Sequence, residues 1–125
     1  MQSRNKLSVK ERFEDSFTFE HLTIEQSLQT EPPTCVYDAA IILAKFISEL
    51  PDDFSSSNLL ELGAGTGLTG LYLANRFKRT MLTDCSSVLP LLESNRDRNS
   101  STALTDQLWW GNRSEISRVM SQLDG

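Results

Sequence analysis

The residues able to do chemistry in this chain are two carboxylates set around a run of glycines: Glu61, then Gly63, Gly65 and Gly67, and farther on Asp84. The stretch Asn58 to Gly70 reads Asn-Leu-Leu-Glu-Leu-Gly-Ala-Gly-Thr-Gly-Leu-Thr-Gly. A short apolar run, Leu59, Leu60 and Leu62, leads into it. An apolar helical pattern, Leu68, Leu71, Tyr72, Leu73 and Ala74, leads out. A buried strand, a tight turn and a helix N-terminus account for all three parts. Glycine lacks a Cβ, so such a turn bends sharply and lets a ligand touch backbone. The first N–H groups of the helix then face that ligand. Asp84 closes a second strand, Thr80-Met81-Leu82-Thr83. An acid about 20 residues past a glycine turn, at the tip of the next strand, is where a ribose hydroxyl pair is held. The spacing is G-x-G-x-G, with Leu68 where the dinucleotide fingerprint G-x-G-x-x-G places glycine. A nicotinamide dehydrogenase is disfavoured on that ground.

Other chemistries lack the residues they need. His21 is the only histidine, too few for zinc chemistry and a thin basis for a triad. Cys35 and Cys85 make neither a disulfide framework nor a metal cluster, and are expected as reduced thiols. No metal site is expected. A net charge of −5 disfavours nucleic acid as a partner, since backbone binding needs a basic patch. No apolar run approaches membrane-spanning length, and Met1 to Phe13 has no signal-like apolar region. The expected place is the cytoplasm, or the nucleus.

These residues need elements to position them. At 125 residues and 38% hydrophobic, the chain has the size of one domain at most. Residues 1–12 read as a flexible polar tail, and residues 13–125 as the domain. Phe17, Phe19, Leu22 and Ile24 alternate with polar residues, which predicts a strand or a hairpin turning near Glu20 and His21. His21 reads as a plain surface residue. Pro32-Pro33 enforces a break. A helix over about Tyr37 to Leu50 follows, with Ala40, Ile41, Ala44, Phe46 and Ile47 as a broad buried face. After Asp84 a helix opens with Pro90 in its first turn, where proline is tolerated. Leu91 and Leu92 point inward, and Glu93, Asn95, Arg96, Asp97 and Arg98 form a solvated face. Leu104 to Trp110 is a candidate third strand, poor because of Asp106 and Gln107. Arg113 to Leu123 carries Ile116, Val119, Met120 and Leu123 at helical spacing.

With that order in view the chain resembles family 16 of the seven-β-strand, class I S-adenosylmethionine-dependent methyltransferases, the methyltransferase-like protein-lysine group. The resemblance rests on Cys35 to Ala44 at the first helix start, on Leu60 to Gly70 with its acid-Leu-Gly-x-Gly-x-Gly, on Leu82-Thr83-Asp84 with Leu-Leu-x-x-Asn downstream (Leu91 to Asn95), and on Leu108-Trp109-Trp110-Gly111. It spans roughly residues 13 to 112. The implied fold is α/β and Rossmann-like, N-terminal half only: the first three sheet strands with flanking helices and an N-terminal hairpin. The implied cofactor is S-adenosyl-L-methionine. Gly63, Ala64, Gly65 and Gly67 would form its turn, Glu61 would orient its amino group, and Asp84 would take its ribose hydroxyls. Trp110 would lie on the adenine, and Tyr37 stands where the family has tryptophan beside the cofactor. The implied partner is a protein substrate.

The family continues with a fourth strand and an Asp-x-x-Tyr beside the substrate lysine, and no Asp-x-x-Tyr occurs in this sequence. A truncated form is therefore expected, with the Leu59 to Leu62 strand as an exposed edge that invites self-association. Asp38 and Glu61 read as structural or cofactor-side groups, so no catalytic residue is assigned. A small-molecule methyltransferase and an inactive, partner-binding fragment stay open as alternatives.

Overall fold

The computed structural model describes residues 15–28 and 33–124. The expected polar tail lies outside the described residues. An antiparallel hairpin comes first, β1 (Ser16–Phe19) and β2 (Leu22–Glu25). Phe17, Phe19, Leu22 and Ile24 all point inward, as period-two alternation requires. Glu20 takes the left-handed turn position with φ of 51°. The ring of His21, exposed to solvent, stacks on Tyr72 at 6.0 Å.

Helix α1 (Asp38–Ser48) follows, with Asp38 in its first turn, where a negative charge suits the helix dipole. Its buried face is narrower than the sequence pattern implies. Ala44 is fully enclosed, whereas Phe46 is 61% exposed. The helix packs mainly on one neighbour, the helix Leu68–Leu73, and cannot cover its whole apolar surface there.

The main sheet holds β3 (Asn58–Glu61), β4 (Arg79–Asp84) and β5 (Leu104–Gln107), all parallel, in the order β3-β4-β5. Helix α2 (Leu68–Leu73) links the first two strands and α3 (Leu89–Arg98) the next two; α4 (Arg113–Asp124) follows β5. This is a mixed α/β arrangement consistent with a Rossmann-like half-domain. Two expected strands are shorter than predicted. The first stops at Glu61, leaving Leu62 outside it and 53% exposed. The third stops at Gln107, with the tryptophans beyond it. Asp106 is tolerated inside β5 because Arg118 donates to both of its oxygens, at 2.8 and 3.0 Å, and Gln122 donates at 2.7 Å.

Successive residues on a strand face opposite ways, and β4 uses this to found two cores. Leu82 packs with α2, α3 and the hairpin, while Met81 packs with Leu108, Val119 and Leu123. Helices α2 and α3 thus lie on one face and α4 on the other. Asn58 and Arg79 tie the last turn of α4 to the starts of β3 and β4, through Leu123 carbonyl contacts of 2.9 and 3.2 Å. In open α/β sheets, ligands bind beyond the carboxyl ends of strands, where the winding changes face. The glycine turn lies at the carboxyl end of β3.

One apolar-face expectation is overturned in α3. Asn95, read as solvated, is fully buried. The helical period that places Leu92 inward also carries the residue three positions on to the same face.

Candidate cofactor site

The register of the sheet brings the two acids together. Glu61 pairs beside Leu82, so the glycine turn that follows lies level with Thr83 and Asp84. The turn is then stitched to the tip of β4. Ala64 N–H donates to the Thr83 carbonyl at 2.9 Å, and Gly65 N–H donates to Asp84 Oδ2 at 2.8 Å. Thr83 Oγ1 donates back to the Glu61 carbonyl at 2.7 Å. The other oxygen of Asp84 accepts from Cys85 N–H at 2.7 Å. A carboxylate offers about four lone-pair positions, so each oxygen keeps capacity for a further donor such as a hydroxyl.

Gly63, Gly65 and Gly67 all have positive φ, at 65°, 58° and 90°. The turn therefore needs glycine at each of them. Gly67 also has Leu92 2.7 Å from where a Cβ would sit. Gly70 has a different constraint. A Cβ there would run into the side chain of Leu82 and come within 2.8 Å of Glu61 Oε1. Its missing side chain lets α2 lie close on the sheet, and its N–H donates to Glu61 Oε1 at 3.2 Å. Burial pushes the Glu61 carboxyl up to about 7, and the neighbouring Asp84 charge adds to that, against the lowering effect of the Gly70 bond.

Trp110 stands over the turn, with Cζ2 3.7 Å from the position of a Cβ on Gly63, and 78% of its surface is exposed. An indole left so open is not packed as core. Its placement depends on Glu115, which sequence reading passed over. That carboxylate is buried and takes hydrogen bonds from Gln107 Nε2 at 3.1 Å and from Trp109 N–H at 3.4 Å. Asn112 Oδ1 caps α4 by accepting from Glu115 N–H at 3.1 Å. The Asn112-x-x-Glu115 spacing, a capping-box pattern, was the available signal.

Tyr37 sits at the start of α1, 57% exposed, with its hydroxyl donating to the Pro33 carbonyl at 2.9 Å. A hydrogen bond with Cys35 and partial burial raise its pKa. The first turn of α1 is fixed to α2, since Thr69 Oγ1 donates to the Ala40 carbonyl at 3.0 Å. Glu61, Gly63, Ala64, Gly65, Gly67, Asp84 and Trp110 thus share one end of the sheet, and Tyr37 caps the start of α1.

The family model described as lysine methyltransferase matches residues 16–124, nearly all of the described chain. The chain belongs to this lysine methyltransferase family. It is similar to EEF1A lysine methyltransferase 3 of Xenopus tropicalis, 34% identical over 79 residues, which are 61% of this chain and 35% of the relative. It is similar to protein N-lysine methyltransferase METTL21A of Mus musculus, 32% identical over 85 residues, 64% of this chain and 39% of the relative. A 62-residue match to human protein-lysine N-methyltransferase EEF2KMT is 42% identical and covers 47% of this chain and 19% of that protein. The chain spans well under half the length of these relatives. Within the lysine methyltransferase domain, the described residues hold no helix long and apolar enough to cross a membrane.

Proposed function

We propose that this chain binds S-adenosyl-L-methionine at the turn of residues 63–67 and carries the cofactor half of a protein-lysine N-methyltransferase. The observation that carries the reading is the pair of carboxylates on the turn, Glu61 hydrogen-bonded to Gly70 N–H and Asp84 to Gly65 N–H. An acid in the position of Asp84 serves ribose hydroxyls in dinucleotide sites as well. It is Glu61, a second acid beside the turn, that suits a cofactor with a sulfonium and an ammonium and opposes a pyrophosphate. Asp84 would receive the ribose hydroxyls, Glu61 the ammonium, and the exposed face of Trp110 the adenine. Tyr37 would border the site from the start of α1.

When bound, the cofactor supplies an electrophilic methyl group. The chain's own residues bind and orient it, which is most of what an in-line displacement asks of a protein. A protein lysine is the acceptor suggested by the names of the relatives. No residue of this chain is assigned as catalytic.

Isothermal titration of the full chain with S-adenosylmethionine and with its demethylated product tests the site. Binding that disappears in Asp84→Ala supports the reading. A folded chain that binds neither compound overturns it. Transfer of labelled methyl groups to lysines of a protein extract, against a pool of small molecules, separates the protein-lysine reading from a small-molecule methyltransferase.

Among the described residues β3 has β4 on one side and no strand on the other. Ile42, Leu43 and Phe46 of α1 and Leu62 after β3 are also exposed. That edge supports self-association, as bare strand edges do. Sedimentation velocity across a concentration series would show a dimer; a monomer throughout would remove the idea.

A further inference from the structure

The side-chain amides of Asn95 in α3 and of Asn99 at its C-terminal cap meet the free edge of β2 in register. Asn95 Oδ1 accepts from Glu25 N–H at 2.8 Å, and its Nδ2 donates to the Glu25 carbonyl at 2.9 Å. Asn99, one turn on, repeats the pair on Thr23, accepting from its N–H at 2.9 Å and donating to its carbonyl at 3.0 Å. Residues two apart on a strand are about 6.6 Å apart, and residues four apart on a helix about 6 Å. The two spacings match closely enough for a pair of amides to imitate a neighbouring strand. An amide is the side chain for this, since it offers an acceptor and two donors together.

The two asparagines differ in their last donor. Asn99 Nδ2 turns to the Asn95 carbonyl of its own helix at 2.7 Å. Asn95 Nδ2 reaches the carbonyl of Thr66, inside the glycine turn, at 2.9 Å, in a fully buried contact. The turn is thus held from β4 through its amides and from α3 through one carbonyl. A fully buried amide with both donors used is expensive to disturb.

We propose that Asn95 is a positioning residue of the cofactor site: through the Thr66 carbonyl it sets the pose of the glycine turn and ties that pose to the N-terminal hairpin, while Asn99 serves the hairpin and the helix end and makes no bond to the turn. This rests on the cofactor-site reading given above. Asn95→Ser and Asn99→Ser, each in the full chain, both remove a reciprocal pair on β2, so a role confined to hairpin attachment predicts that cofactor affinity responds alike in the two. The expected result is unequal. S-adenosylmethionine binding stays within about twofold in Asn99→Ser and weakens roughly five- to tenfold in Asn95→Ser, the worth of one neutral hydrogen bond. In ligand-free nitrogen–proton NMR spectra, the amide signals of Gly63, Ala64, Gly65 and Gly67 move in Asn95→Ser and stay in Asn99→Ser. Equal affinity losses, or unmoved turn amides in Asn95→Ser, overturn the proposal.

The spectra need no cofactor. If the unsubstituted chain binds none, the cofactor reading fails by itself and the turn amides still decide what Asn95 does. If Asn95→Ser does not fold, the unsubstituted chain decides. A scalar coupling from Asn95 Nδ2 to the Thr66 carbonyl, with the Asn95 side-chain amide shifting on cofactor addition and that of Asn99 still, supports the role; an Asn95 amide indifferent to cofactor refutes it.

Discussion

Replacing Glu61 with glutamine should make the protein more stable and bind its cofactor worse. Burial lifts the Glu61 carboxyl from an ordinary 4.5 to about 7, with the Asp84 charge adding to the shift. The folded chain therefore holds this proton more tightly than the unfolded chain does. Linkage then fixes the sign: the group contributes stability below pH 4.5, and loses it progressively as pH rises to about 7. Each pH unit between the two values is worth about 1.4 kcal/mol, so the charged carboxylate costs about 3 kcal/mol of stability above neutrality. Glu61→Gln keeps the shape and keeps an oxygen for Gly70 N–H, and carries no charge to desolvate. Urea unfolding at pH 5 and pH 8 is the assay. The variant should gain little at pH 5, where Glu61 is already mostly neutral, and up to about 3 kcal/mol at pH 8. Cofactor affinity should run the other way, rising through pH 7 in the unsubstituted chain and flat in the variant, because an ammonium wants the ionised partner. A variant no more stable than its parent at pH 8 would refute the buried-charge account.

Three further substitutions test packing and contact. Gly70→Ala drives a methyl into Leu82 and toward Glu61 Oε1, and overpacking of ~1–3 kcal/mol exceeds the ~1 kcal/mol helix gain; a lowered urea midpoint checks this. Thr80 is buried and its Oγ1 has no hydrogen-bond partner among the described residues, so Thr80→Val should stabilise by about 1 kcal/mol, read as a raised thermal midpoint. Trp110→Ala should leave stability within about 0.5 kcal/mol, because the ring is mostly exposed, yet weaken S-adenosylmethionine by the ~1–3 kcal/mol of base–aromatic stacking, measured by titration calorimetry.

The parts of the fold visible in the sequence were those governed by local periodicity. The hairpin alternation from Phe17 to Ile24, the helix after Pro33 and the strand–turn–helix around Gly63 all follow from spacing and glycine content. Element ends were less legible. Leu62 looked like strand and lies outside it, since the strand stops where the turn begins to bend. Asp106 looked like an interruption of β5, and Arg118 and Gln122, from a later helix, make it acceptable there. No window of residues near position 106 contains that information.

The same division holds at the site. The sequence by itself determined a glycine turn between strand and helix, acids at positions 61 and 84, and through them the family. Those features are local, because positive φ at three glycines and an acid at a strand tip are properties of short segments. Tertiary structure decided the rest. It brought Asp84 onto Gly65 through the strand register, placed Trp110 above Gly63 with Glu115 holding its loop, and buried Asn95 against both the hairpin and the turn. It also left Phe46 in solvent despite its place in an apolar pattern. A polar side chain is buried or solvated according to which donors and acceptors face it, and those can belong to segments far along the chain, as Glu25 is 70 positions from Asn95.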